Sequence, residues 1–381
     1  WLEKMDQEPP FFKKKNENNY SGSVKESIAL TRRNMMFTAT KGMGMWFYDF
    51  GLPAGSGAQR RLRTGFWNQP DILEDIRKVK AVFDKNLERK YTSDADVLMV
   101  YDTRSFFALV SQTKKTNITN ILVNWTAVNA MKAGVVFDAV YLSDLDKVDL
   151  SRYKVVVFNN TFVLNPSERQ FIREKLMQGG REVIWFYAPG YSDGEKLDVG
   201  LMSKLIGINM VEASSSTLPV IKMTMPSGTP LTYDVRNPLT ASSLGNVLSG
   251  YHFADHDSPY QPLFEVDDAA AVSLGIYESS NRPAIAKKEL SASTSWYVGL
   301  PAYEPELMKQ LLQDTKAHIF STDDVIVYSG SGLMSVHTKH GGIKNITLKN
   351  GKLVQLNMDE NSTFILDNET GEVILGNIEL E

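Results

Sequence analysis

Two short stretches carry the side chains best suited to chemistry on a sugar. Trp46, Tyr48 and Asp49 lie in Gly42-Met-Gly-Met-Trp-Phe-Tyr-Asp-Phe-Gly51, and Phe66 and Trp67 lie in Gly65-Phe-Trp-Asn-Gln-Pro70. Aromatic faces stack on the C–H side of a sugar ring, and a carboxylate beside them accepts hydrogen bonds from its hydroxyls. The first stretch reads as a buried strand that turns aromatic and acidic at its carboxyl end, the end at which α/β barrels place their active sites. The bland alternative has one of Trp46 and Tyr48 filling the barrel core and the other facing the helix layer. Phe66 and Trp67 precede a helix, where an aromatic is often a hydrophobic staple.

Other constellations compete with this one. Gly190-Tyr-Ser-Asp-Gly194 matches the G-x-S-x-G pattern of a hydrolase nucleophile elbow, with Ser192 as nucleophile. Asp255 or Asp257, with His256 or His318, would complete the order serine, acid, histidine. The helix that should begin at the serine is displaced by Asp193-Gly-Glu-Lys196, which favours a plain loop. His252 and His256 have the spacing of a helical zinc pair, but Gly250 and Ser258-Pro259 flank them, and a polar loop is the simpler reading. His337 and His340 lack an obvious third ligand, so no metal site is assigned. No phosphate-binding glycine motif comes after any strand, and Tyr101-Asp-Thr-Arg-Ser-Phe-Phe107 has none of the glycines a dinucleotide requires, so no cofactor is expected.

Composition narrows the field further. The chain has 381 residues, a formal net charge of -4, 43% hydrophobic residues and no cysteine. Disulfides and thiolate chemistry are excluded, and a nucleic-acid partner, which would call for a basic face, is not expected. No apolar run approaches the ~20 residues of a membrane span. The first residue is Trp1 rather than Met, which points to processing or to a piece of something longer. The compartment stays open, with an extracytoplasmic location favoured over the cytoplasm.

The surrounding pattern predicts the scaffold. Residues 1–20 are polar and broken by proline, and read as a loop. Ser23 and Glu26 form a capping box for a helix that Gly42 stops, Met43 to Tyr48 form a strand, and Pro70 opens a second helix. Helix, strand, loop and helix make the repeat of a (β/α) barrel, yet a complete barrel needs about 250 residues, so only its end is present. From residue 93 short apolar runs (97–101, 136–142, 154–158 and 183–187) alternate with helices, the pattern of a doubly wound parallel sheet. Antiparallel additions begin at about residue 208, closed by a strand at 295–300 and a helix at 304–315. The last roughly sixty residues read as strands, with Asn350-Gly351 and Glu369-Thr-Gly371 as hairpin turns, and as a small β-sandwich.

Taken in order, the stretch Met43 to Gly51, a cysteine-free α/β domain and a terminal β domain entered through His318-Ile-Phe-Ser-Thr-Asp-Asp-Val-Ile-Val-Tyr328 resemble the carboxyl-terminal part of family 42 glycoside hydrolases. The resemblance implies an α/β fold in three parts. Residues 1–92 would be the end of a TIM-type barrel, 93–322 a glutamine-amidotransferase-like domain that serves oligomerisation, as in a trimer, and 323–381 a β-sandwich. Trp46 and Trp67 would flank a carbohydrate site. Where an amidotransferase carries its cysteine, this chain has Ala188-Pro-Gly-Tyr191, so that activity is excluded. The family's two catalytic carboxylates come from barrel strands 4 and 7, and both are expected upstream of Trp1. Glu3 and Glu8 are not assigned, because no strand is read before them. A non-catalytic carbohydrate-binding or assembly module is the alternative.

Overall fold

The computed structural model describes residues 2–5, 22–48, 67, 69–108, 122–123, 126–214, 220–224, 230–234, 262–300 and 305–380. By their contacts the residues divide into two units, 1–94 with 319–381, and 95–318.

The first unit opens with a strand where the sequence predicts a loop. Strand β1 (Leu2–Met5) pairs in parallel with β2 (Gly44–Phe47), with Lys4 opposite Trp46 and Met5 opposite Phe47. Four residues, two of them charged, are too few to show alternation, and the pairing depends on a partner far along the chain. Helix α1 (Val24–Thr40) makes the crossover between them. Its Ser23 cap accepts from the Glu26 amide, while the Glu26 carboxylate takes the amide of Gly22, so the expected box closes one residue early. Helix α2 (Pro70–Asn86) comes after β2, with Pro70 in its first turn, where the missing N–H has no partner to lose. Met5, Ile28, Ala29, Trp67, Ile72 and Ile378 form one apolar cluster of this unit. Met35, Met36, Val79, Val82, Leu333 and Ile365 form another. The terminal segment therefore shares its core with the βαβα opening.

Among the described residues the second unit is built on a mixed nine-stranded sheet. Its parallel part takes β3 (Val97–Tyr101), β4 (Phe137–Tyr141), β5 (Val155–Phe158) and β6 (Arg181–Phe186). The buried runs of β3 and β5 are what a sheet covered on both faces requires. Helices α3 (Thr103–Ala108), α4 (Thr126–Lys132), α5 (Pro166–Phe171) and α6 (Val199–Ile206) accompany these strands, α5 opening on an Asn165–Glu168 capping box. Of the next strands, β7 (Met210–Glu212) and β10 (Phe264–Val266) pair with each other, apart from the large sheet. The others, β8 (Val220–Thr224), β9 (Pro230–Asp234), β11 (Val272–Tyr277), β12 (Pro283–Glu289) and β13 (Ser293–Val298), complete the large one. Its order is β4-β3-β5-β6-β13-β12-β11-β8-β9, with β13 parallel to β6 and antiparallel to β12, so β13 joins the parallel and antiparallel halves. Helix α7 (Pro305–Gln313) packs against α4.

The terminal residues return to the first unit as strands. Four of them, β14 (Ile326–Gly330), β15 (Leu333–Thr338), β18 (Ser362–Asp367) and β19 (Val373–Leu375), form one sheet. The hairpin of β16 (Gly342–Thr347) and β17 (Leu353–Met358) forms a second. Gly351 turns that hairpin at φ +86, a conformation that favours glycine. The fold is thus mixed α/β, with one large sheet containing a parallel core.

Candidate sugar-binding wall

Strand β2 sorts its side chains by alternation. Met45 and Phe47 pack into the clusters formed with α1 and α2, while Trp46 faces the other way and is 43% exposed. Tyr48 is two residues from Trp46 and joins it. The two rings meet edge to face, 5.4 Å between centroids at 88°. Neither points into the helix layer, so the alternative that split them between core and helices is corrected: residues two apart on a strand share a face. The Tyr48 amide donates to the Met5 carbonyl at 2.8 Å, which carries the β1–β2 ladder one step past the last paired residues.

Trp67 occupies a different place from the one expected of a rim residue. It is 7% exposed, meets Phe47 edge-on at 5.2 Å and packs with Ile72, the residue in the first turn of α2. Its indole N–H reaches the Tyr48 carbonyl at 3.4 Å. Trp67 thus packs beside the first turn of α2 and anchors the end of β2. Asp49 and Phe66, the remaining expected site residues, lie outside the described residues.

The serine elbow is not built. Ser192 stands beyond the end of β6, separated from it by a turn, and its hydroxyl oxygen accepts from the Gly194 amide at 3.0 Å. The loop is held by Arg169, a buried guanidinium that donates to four carbonyls: Leu164 at 2.8 Å, Leu201 at 3.1 Å, Gly190 at 2.6 Å and Ser192 at 2.8 Å. Burial lowers the Arg169 pKa, with nearby Asp193 opposing. Directly after β6 the chain does make a left-handed turn, at Tyr187 with φ 61. The tyrosine fills that turn: its hydroxyl donates to the Pro262 carbonyl at 2.6 Å, and its own carbonyl accepts from the Tyr297 hydroxyl at 2.7 Å.

The described histidines do not gather either. The His318 amide donates to Asp96, and His340 is exposed, 3.9 Å from the Asp324 carboxylate. His337 is partly buried, with Nδ1 2.8 Å from the Thr363 hydroxyl oxygen, and that hydroxyl donates to the Ala29 carbonyl at 2.6 Å. Thr363 has one proton to give, so Nδ1 is the protonated nitrogen of a neutral ring. Burial, with the Arg33 charge adding to it, lowers the His337 pKa to about 3. His252, His256, Asp255 and Asp257 lie outside the described residues. Among the described residues no three metal-ligating side chains cluster.

Sequence reasoning alone does not find β1, and for that reason leaves Glu3 and Glu8 unassigned. Asp6 and Glu8 are the first carboxylates after Met5, ahead of Pro9-Pro10, and both lie outside the described residues. The signal that could have found the strand is Leu2 and Met5 bracketing two charged residues just before an acidic, proline-stopped stretch.

No family model matches the sequence, and no curated protein matches it. Solved structures do. A β-galactosidase from the haloarchaeon Halorubrum lacusprofundi superposes with a TM-score of 0.58 at 17% identity, over 86% of this chain and 48% of its own. One from Bacillus circulans sp. alkalophilus gives 0.56 at 15% identity, over 85% and 49%. A GH42 β-galactosidase from G. stearothermophilus gives 0.54 at 12% identity, over 86% and 48%. The likeness is one of fold, and the chain spans about half the length of these structures.

Proposed function

We propose that this chain is the carboxyl-terminal part of a β-galactosidase-like glycoside hydrolase. In this reading β1 and β2 are the last two strands of a (β/α) barrel, residues 93–322 an amidotransferase-like domain used in homo-oligomerisation, and residues 323–381 a β-sandwich. The observation that carries it is the parallel β1–α1–β2 unit with Trp46 and Tyr48 together at the carboxyl end of β2, facing away from the helices. The fold shared with β-galactosidases supports it.

The presence of β1 changes where the reacting groups are sought. A retaining glycosidase uses two carboxylates about 5–5.5 Å apart, one as nucleophile on the anomeric carbon and one that protonates the leaving oxygen and then deprotonates water. If β2 is the eighth barrel strand, β1 is the seventh, and the carboxylate expected at its carboxyl end falls at Asp6, the residue after Met5. Asp6 is therefore our nucleophile, with the acid/base on strand 4, upstream of this chain. Trp46 and Tyr48 stack on the sugar, and Trp67 holds the Tyr48 carbonyl.

Turnover of aryl β-galactosides by the full-length polypeptide that carries this chain tests the reading. The expected result is cleavage by the full-length protein and, by residues 1–381 alone, binding of galactosides without cleavage. Cleavage by residues 1–381 alone would show that the acid/base is not upstream. The exposure of Trp46 also suits a non-catalytic carbohydrate-binding module, which the full-length protein would reveal by binding without turnover.

A further inference from the structure

We propose that the second unit holds a binding site for a neutral, hydroxyl-rich small molecule such as a monosaccharide, at the carboxyl ends of β3 and β5, with Asn159 and Thr161 as the residues that read it. The chain leaves β3 to one side for β4 and returns on the other side for β5, so the winding reverses between β3 and β5. Open α/β sheets bind small ligands outside the carboxyl ends of the strands at such a reversal.

The polar residues at this edge fall into two groups. The first is a closed frame. The Asp102 carboxylate accepts from the Ser105 hydroxyl at 2.6 Å, the Ser105 amide at 3.1 Å and the Arg104 Nε at 3.3 Å. Asn160 exchanges two hydrogen bonds with the Asp102 main chain, at 2.9 and 2.8 Å, and Arg104 spans on to Glu168 at 2.8 Å. Every charge in the frame is answered within it.

The second group is open. Asn159 is fully buried, and neither its amide nitrogen nor its amide oxygen has a hydrogen-bond partner among the described residues; Thr161 is 1% exposed and its hydroxyl has none there. The Asn159 main chain donates to the Val100 carbonyl at 3.1 Å, which extends β5 beside β3 and keeps the residue at this edge. Buried polar atoms without partners are rare in folded proteins and mark a missing partner or a functional site. One donor group, one carbonyl acceptor and one hydroxyl match adjacent hydroxyls of a sugar or polyol, each of which both gives and accepts. A phosphate fits poorly, because Arg104, the cation of the frame, is already shared between two carboxylates. Arg104, Phe106 and Phe107 of α3, the helix that follows β3, are exposed.

The proposal does not rest on the glycosidase reading. The test measures thermal stability and calorimetric binding of galactose, glucose and glycerol, with inorganic phosphate as control, on the intact chain and on Asn159→Leu and Thr161→Val. The expected result is saturable stabilisation by a sugar but not by phosphate, weakened at least about tenfold in Asn159→Leu and in Thr161→Val. Without ligand, Asn159→Leu should be at least as stable as the parent, because an apolar group of the same shape removes an unmatched amide. A less stable or unfolded Asn159→Leu would make the amide structural and overturn the proposal. So would the absence of saturable sugar binding, or sugar binding unchanged in both variants.

Discussion

The Arg32 guanidinium grips the Asp75 carboxylate across the α1–α2 interface, with Nε 3.0 and 2.9 Å from the two oxygens and a terminal nitrogen 2.5 Å from one of them. The side chains are 5% and 8% exposed, and Arg32 also donates to the carbonyls of Thr363 and Gly376, at 3.1 and 2.6 Å. One buried cation thus ties the helices to the terminal sheet. Removing only one member of a buried pair leaves an uncompensated charge, so Asp75→Ala should cost about 3–5 kcal/mol in urea unfolding. Arg32→Met with Asp75→Leu should recover only part of that, since two carbonyls remain unanswered. An Asp75→Ala protein as stable as the parent would remove Arg32 from this role.

His337 gives a pH signature. An unfolded histidine takes a proton near pH 6.5, whereas the folded ring resists until about 3. Between those values the unfolded chain holds more protons, so stability is full above about pH 6.5 and falls as the pH drops toward 3. His337→Gln should flatten that part of the stability–pH curve relative to the parent, while the carboxylate contribution stays. Parallel curves from about pH 7 to about pH 4 would contradict the buried neutral ring.

The two tryptophans should separate cleanly. Trp67→Ala empties a core site and should cost about 3–5 kcal/mol. Trp46→Ala removes an exposed ring, should change stability by no more than about 0.5 kcal/mol, and should weaken galactoside binding. Denaturation and calorimetry on the same pair of variants check both halves.

Ser192→Ala should leave any esterase background unchanged, because its hydroxyl caps a turn rather than meeting a base. Arg169→Met should destabilise by several kcal/mol, four carbonyls losing their donor at once. Ester turnover that disappears in Ser192→Ala would revive the hydrolase reading.

Legibility in the sequence depended on range. Where local signals decide, the residues alone were sufficient: Asn165 and Glu168 close their box, Asn350-Gly351 turns its hairpin, and the apolar run from Val97 becomes a strand of the parallel core. Strand β1 was hidden because its identity comes from pairing with Gly44–Phe47, not from its own four residues. Trp46 and Tyr48 are recognisable as residues, but their companionship needs strand alternation, which puts positions two apart on one side. Trp67 was expected to flank the sugar site, with a staple as the bland alternative, and only its burial, its contact with Phe47 and its reach to the Tyr48 carbonyl show that it supports β2. Arg32 and Arg169 were invisible, because their partners are brought together by tertiary folding alone.

The central proposal is that Asp6, the residue that follows β1 in the sequence, is the nucleophile of a two-carboxylate site whose wall is Trp46 and Tyr48. Its most direct test is the rate of aryl β-galactoside hydrolysis by the full-length polypeptide carrying this chain, compared with the same polypeptide bearing Asp6→Asn. The account predicts turnover in the first and its loss by orders of magnitude in the second, with the unfolding midpoint unchanged. Hydrolysis that survives Asp6→Asn at the parent rate would contradict it.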